Sequence, residues 1–146
     1  HSRILILGSF PSVKSREIQF YYGHPQNRFW KLMAQLLDVP VPQSIDEKKT
    51  MLLTHSLALW DVIASCDIKG SSDSSIKNAV PADISRILKA ADIQTIIANG
   101  GTAFRLYERY CEPVTGRPAA LCPSTSPANA AFSLERLSEC WSKFII

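Results

Sequence analysis

Short apolar runs, each stopped by a glycine or a polar turn, alternate along this chain with stretches whose apolar residues recur every three or four positions. Ile4-Leu5-Ile6-Leu7 ends at Gly8, and Thr95-Ile96-Ile97-Ala98 ends at Asn99-Gly100-Gly101. Runs of that length and character predict buried parallel strands. Strands separated by amphipathic helices predict a parallel sheet covered on both faces. The expectation is therefore a single α/β domain over residues 1–146, three-layered α/β/α, with a central, mostly parallel sheet of four strands. A chain of 146 residues is long enough for one such core and too short for two.

The elements follow in order. After the first strand, Phe29, Leu32, Met33, Leu36 and Leu37 predict a helix closed by Asp38-Val39-Pro40. Ser44-Ile45-Asp46-Glu47 is a capping box that opens a second helix, to about His55. Residues 57–63 predict a second strand interrupted by Trp60-Asp61, with Trp60 in the core and Asp61 in a turn. Residues 66–79, rich in Ser, Gly, Asp and Asn, predict a long surface loop. Pro81 suits the first turn of a helix carrying Ile84, Ile87, Leu88 and Ala91. The third strand at 95–98 leads to a helix with Phe104, Tyr107 and Cys111 inward. A last strand falls within 118–122, and Leu134, Leu137, Trp141 and Phe144 mark the closing helix.

Composition narrows the function classes. The chain is 46% hydrophobic and 20% charged, which describes a folded soluble protein. A net charge of +3 suits a nucleic-acid partner only where the cations cluster. Cys66, Cys111, Cys122 and Cys140 form no Cys-x-x-Cys pair and have no histidine at ligand spacing, so no metal is expected. With no secretory pattern and no membrane-length apolar run, the expectation is a cytoplasmic protein with reduced thiols.

Three polar loops follow three strands, at 8–28, 99–102 and 123–130, and a parallel sheet gathers such loops at one end. The first is densest, holding the rings Phe20, Tyr21 and Tyr22, the cations Lys14 and Arg16, the hydroxyls Ser9, Ser12 and Ser15, and the amides Gln26 and Asn27. Phosphate-loop, dinucleotide, serine-hydrolase and zinc-protease motifs are absent. These groups suit another task, holding a nucleobase flipped out of a duplex, which needs a stacking ring, an edge-reading amide and a grip on flanking phosphates. Tyr22 or Phe10 can stack, Asn99 can read an edge, and Ser12, Lys14, Ser124, Thr125 and Ser126 can hold phosphates. The plainer reading of Asn27 is a helix cap.

Gly8-Ser9-Phe10-Pro11-Ser12, then Gly23-His24-Pro25-Gln26-Asn27-Arg28-Phe29-Trp30-Lys31, then Pro123-Ser124-Thr125-Ser126-Pro127-Ala128-Asn129 resemble, in order and spacing, motifs of the uracil-DNA glycosylase superfamily. The chain is most similar to the deoxyinosine (hypoxanthine) DNA glycosylase branch, with the mismatch-specific uracil/thymine glycosylases next. The mismatch-specific relatives place a water-positioning Asn where this chain has Phe10. The hypoxanthine branch shares that departure, and its catalytic Asn matches Asn27. A family motif that often reads His-Pro-Ser reads Cys122-Pro123-Ser124 here, so no imidazole stands in that loop.

The resemblance implies a monofunctional DNA glycosylase, monomeric and without cofactor, that hydrolyses the N-glycosidic bond of deoxyinosine in base-excision repair. Asn27 is then catalytic, its amide orienting the attacking water. Gly8, Phe10, Tyr22 and Asn99 are the base-binding candidates. Ser9, Ser12, Lys14, Ser124, Thr125, Ser126 and Asn129 are the DNA-binding candidates. The alternatives are a uracil or mismatch-specific glycosylase, a small-molecule nucleoside hydrolase, and a non-catalytic nucleic-acid- or nucleotide-binding module of the same fold.

Overall fold

The most apolar run of the chain becomes an inner strand, because only there are both faces of its alternating side chains covered. The computed structural model describes residues 3–8, 27–67, 77–81, 84–90, 92–126, 129 and 132–145. In chain order these form β1 (Ile4–Gly8), α1 (Phe29–Leu37), α2 (Ile45–Thr54), β2 (Leu57–Asp61), β3 (Ile63–Asp67), β4 (Lys77–Pro81), α3 (Ile84–Ala90), β5 (Thr95–Asn99), α4 (Gly101–Tyr110), α5 (Glu112–Thr115), β6 (Ala120–Cys122) and α6 (Leu134–Ile145). The main sheet has the order β2-β1-β5-β6, and all of its pairings are parallel. The expected four-stranded α/β architecture is thus present.

Alternation along β1 sends Ile6 to one face and Leu5 and Leu7 to the other, all fully buried. Below Ile6, Leu57, Leu59 and Ile97 lie Phe29, Leu32 and Met33 of α1, Met51 of α2, and Leu137 and Trp141 of α6. Phe29 and Trp141 meet edge to face, with centroids 6.3 Å apart. On the opposite face Leu5, Leu7 and Ile96 pack against Ile84 of α3 and Tyr107 of α4. Tyr107 is buried without penalty because its hydroxyl donates to the Arg117 carbonyl (2.7 Å) and shares a bond with Thr115 Oγ1 (2.8 Å). The two clusters make the three layers.

Local signals place the helix ends. Ser44 Oγ accepts from the Glu47 backbone N–H at 3.1 Å and starts α2. The Glu47 carboxylate reaches back one residue further than a capping box requires, to the Gln43 N–H at 2.5 Å. At the end of α1, Asp38 takes the left-handed conformation (φ 56°) and its N–H closes on the Ala34 and Gln35 carbonyls.

Four expectations are corrected. The segment at 57–63 is two strands: after β2, the Val62 N–H donates to the Gly8 carbonyl (2.7 Å), and Ile63 opens β3. The loop expected over 66–79 gives up Cys66, Asp67 and residues 77–79 to an antiparallel pair, β3 with β4, in which Asp67 opposes Lys77; residues 68–76 lie outside those described. Pro81 closes β4 instead of opening a helix, a strand-end position where its missing N–H costs little. Trp60 is not core: it is 45% exposed on edge strand β2.

Candidate active site

All four main strands run the same way, so Asp61, Gly8, Asn99 and Cys122 finish β2, β1, β5 and β6 at one edge. Gly8 stands opposite Asp61 and Asn99 opposite Cys122. Beyond Asn99 the chain turns through Gly100 at φ 98°, ψ 162°, a region other residues rarely enter. The Gly100 N–H donates to the Cys122 carbonyl at 2.8 Å. A Cβ there would stand 2.9 Å from Ser124 Cβ, so glycine is what lets residues 124–126 lie against the turn into α4.

Thr125 sits at the centre. It is fully buried, yet none of its polar atoms lacks a partner. Its backbone N–H donates to Asn99 Oδ1 (3.0 Å), while Asn99 Nδ2 donates to Thr125 Oγ1 (3.1 Å). The hydroxyl in turn donates to Asn27 Oδ1 at 2.9 Å. Asn27 Oδ1 accepts a second bond from the Phe29 N–H (2.9 Å), an Asx turn that leads the chain into α1. Cap-like bonding and a place in the cleft therefore fall on the same side chain.

Arg28 ties the second polar loop to the start of α1. Its backbone N–H donates to the Thr125 carbonyl (3.1 Å), and its guanidinium donates to the carbonyls of Ser126 (2.9 Å), Asn129 (3.0 Å) and Phe132. Arg28 Nε is buried with no partner among the described residues. Trp141 holds the same loop from below, its indole N–H donating to the Pro123 carbonyl at 2.9 Å. Within the loop, Ser124 Oγ accepts from the Ser126 N–H (3.1 Å) and the Ser124 carbonyl from Asn129 Nδ2 (3.0 Å).

Of the residues singled out in the sequence, Asn27, Asn99, Ser124, Thr125, Ser126 and Asn129 come together here, with Gly8 at the same strand edge. Ser9, Phe10, Ser12, Lys14 and Tyr22 lie outside the described residues, as do Ser15, Arg16, Phe20, Tyr21 and Gln26. Thr125 does not suit the phosphate contact expected of it, because it is fully buried and its hydroxyl and N–H are spent inside the protein. Ser124 and Ser126 instead line an open groove of about 770 Å³, together with Gly101, Asn129 and Lys143.

Sequence reading missed the roles of Arg28, Lys143 and Asp61. Arg28 stood inside a quoted motif, but its carbonyl partners lie about a hundred residues away. Lys143 lines the groove from the helix whose Trp141 is buried in the core. Asp61 was read as a turn residue; it ends β2, and burial pushes its carboxyl up to about 7. Cys122, which ends β6, is fully buried, and burial drives its thiol up to about 12. Among the described residues no group of three His, Cys, Asp or Glu side chains could hold a metal, and no helix is long and apolar enough to cross a membrane.

Comparison with known proteins follows the same outline. The model of the Uracil DNA glycosylase superfamily matches residues 1–145. A Methanosarcina acetivorans protein named hypoxanthine DNA glycosylase is 35% identical over 140 residues, 95% of this chain and 88% of the relative. A Methanosarcina barkeri protein of the same name is 35% identical over 104 residues, 68% of this chain and 65% of the relative. The solution NMR structure of a Methanosarcina acetivorans protein, a candidate uracil DNA glycosylase, superposes with a TM-score of 0.83 at 34% identity, covering 99% of this chain and 89% of the other.

Proposed function

Since the chain belongs to the uracil DNA glycosylase superfamily, we propose that it is a monofunctional DNA glycosylase that removes hypoxanthine from deoxyinosine in base-excision repair. The observation that carries this reading is the amide of Asn27, held through Thr125 against Asn99 at the strand edge, in a chain whose relatives are named for hypoxanthine.

The chemistry asks mainly for placement and electrostatics. Breaking C1′–N9 builds positive charge on the sugar and negative charge on the purine, and water then adds at C1′. Donors aimed at the purine stabilise that transition state more than the ground state. Asn27 is the catalytic residue in this reading, with Tyr22 and Phe10 as stacking faces, Gly8 beside the base, and Ser9, Ser12 and Lys14 on the flanking phosphates. Asn99 acts by fixing the loop, since its Oδ1 is turned to the Thr125 N–H. Ser124, Ser126 and Asn129 carry the DNA strand along their groove, and Lys143 adds a cation there.

The test uses labelled duplexes containing inosine, uracil, xanthine or a mismatch, treated with alkali after incubation. Strand breaks are expected at inosine, and Asn27→Ala is expected to lower the single-turnover rate by at least ~100-fold. Preferred cleavage at uracil would move the substrate within the family. Duplex binding with no cleavage anywhere would leave a binding module.

A further inference from the structure

The polarity of the hydrogen bonds around Asn27 fixes which end of its amide can face a substrate. A backbone N–H can only donate, so the Phe29 N–H identifies the Asn27 atom it meets, at 2.9 Å, as the carbonyl oxygen. The same rule at the Thr125 N–H identifies Asn99 Oδ1 (3.0 Å), which leaves Asn99 Nδ2 as the atom facing the Thr125 hydroxyl (3.1 Å). That hydroxyl therefore accepts from Asn99 and sends its own proton to Asn27 Oδ1 (2.9 Å). Both sites on the Asn27 oxygen are filled. Its Nδ2 has no hydrogen-bond partner among the described residues, and the residue is only partly buried.

An amide held this way is poorly suited to activating a water, which requires an acceptor for the water's proton. It is suited to donating. The leaving purine gains negative charge and offers ring-nitrogen and oxo acceptors, and Cys122, fully buried below the loop, supplies no competing donor to the cleft. Resting on the glycosylase reading above, we propose that Thr125 is a positioning residue that turns the Asn27 amide so that Nδ2 donates to the departing purine. In the step, the C1′–N9 electron pair passes to the purine and Nδ2–H hydrogen-bonds to it without giving up its proton. Water adds to C1′ and releases a proton to solvent, the departing purine anion takes one up from solvent, and hypoxanthine and an abasic site result.

Three variants of the full chain test this by single-turnover cleavage of an inosine duplex at saturating enzyme, with duplex affinity and urea midpoint measured alongside. Asn27→Asp keeps an oxygen for the Phe29 and Thr125 bonds and replaces only the donor. It is expected to stay folded and to lose at least ~100-fold in rate. A water-orienting Asn27 would instead tolerate the carboxylate, so Asn27→Asp activity within tenfold of the parent overturns the proposal. Thr125→Val keeps the shape but frees the amide to rotate; its rate is expected to fall ~10–100-fold with affinity unchanged, the signature of a misplaced group. Thr125→Ser keeps the hydroxyl and is expected to restore the rate. Equal losses in Ser and Val variants would reduce Thr125 to packing and also overturn it. If the parent chain leaves inosine intact, the glycosylase reading itself fails, an outcome distinct from active parent and active Asn27→Asp.

Discussion

At the β5–β6 end of the strand edge, Asn27, Asn99 and Thr125 hold one another, and the guanidinium of Arg28 holds the loop around them. At the β2–β1 end, Asp61 ends its strand beside Gly8 with no hydrogen bond reaching its carboxyl from the described residues, and burial alone raises it to about 7. Asn99 and Asp61 both end parallel strands of the main sheet, and both are partly buried. Topology concentrates polar groups at that edge. Whether such a group becomes a rigid donor or a titrating one depends on whether a loop brings it a partner. Neutral amides and hydroxyls cost little once satisfied. A carboxyl without a partner responds to desolvation by keeping its proton.

The harshest way to break the pinned half is to remove Arg28. Arg28→Ala strips donors from three carbonyls in the second loop and is expected to cost ~2–4 kcal/mol in urea unfolding, since bonds to a charged donor are the stronger kind. Arg28→Lys should recover little, because an ammonium cannot reproduce the planar fork that spans Ser126, Asn129 and Phe132. A cost under ~0.5 kcal/mol, the range of an ordinary surface change, would mean that Trp141 and Asn99 suffice to hold the loop.

Gly100→Ala acts on the same half more gently. It forces a side chain into the left-handed region and against Ser124, so ~1–3 kcal/mol is expected. The comparison is sharpened by where the damage appears. Backbone amide shifts should move at Asn99 and residues 124–126 and stay in place at Gly8 and Asp61.

Much of this was legible in the chain beforehand, for particular reasons. β1, β5, α1 and α6 announce themselves because each buries a stripe whose period is written locally: Leu5 and Leu7 against Ile6, and Leu137 with Trp141. The sharing of one edge by 27–28, 99–101 and 123–129 follows from parallel strands alone. The β3–β4 pair was not legible, since its register joins residues such as Asp67 and Lys77 through a Ser-rich stretch with no alternation of its own. The burial of Thr125 was hidden too: a hydroxyl among serines and prolines looks exposed until Asn99 and Asn27 are seen to enclose it. Asp61 resembles any turn aspartate, and its altered proton affinity comes from burial, which no local pattern announces.

That carboxyl gives the smallest and most conditional effect. In the unfolded chain Asp61 titrates near its ordinary value of 3.8, and in the folded protein near 7. Between those values the folded state holds a proton that the unfolded state has lost, so stability falls as pH rises through this window. Below about pH 4 the carboxyl is neutral in both states and the penalty vanishes; above about pH 7 it is fully present. Asp61→Asn removes the ionisation and keeps the shape. It should therefore stabilise the protein at pH 8, by ~1 kcal/mol or more once partial solvation is allowed for, and the gain should shrink steadily on lowering the pH to 4. Urea midpoints of the two chains across that range decide the matter. Parallel curves would mean that the carboxyl is already ionised at neutral pH and has found a cation, and the two halves of the edge would then be built alike.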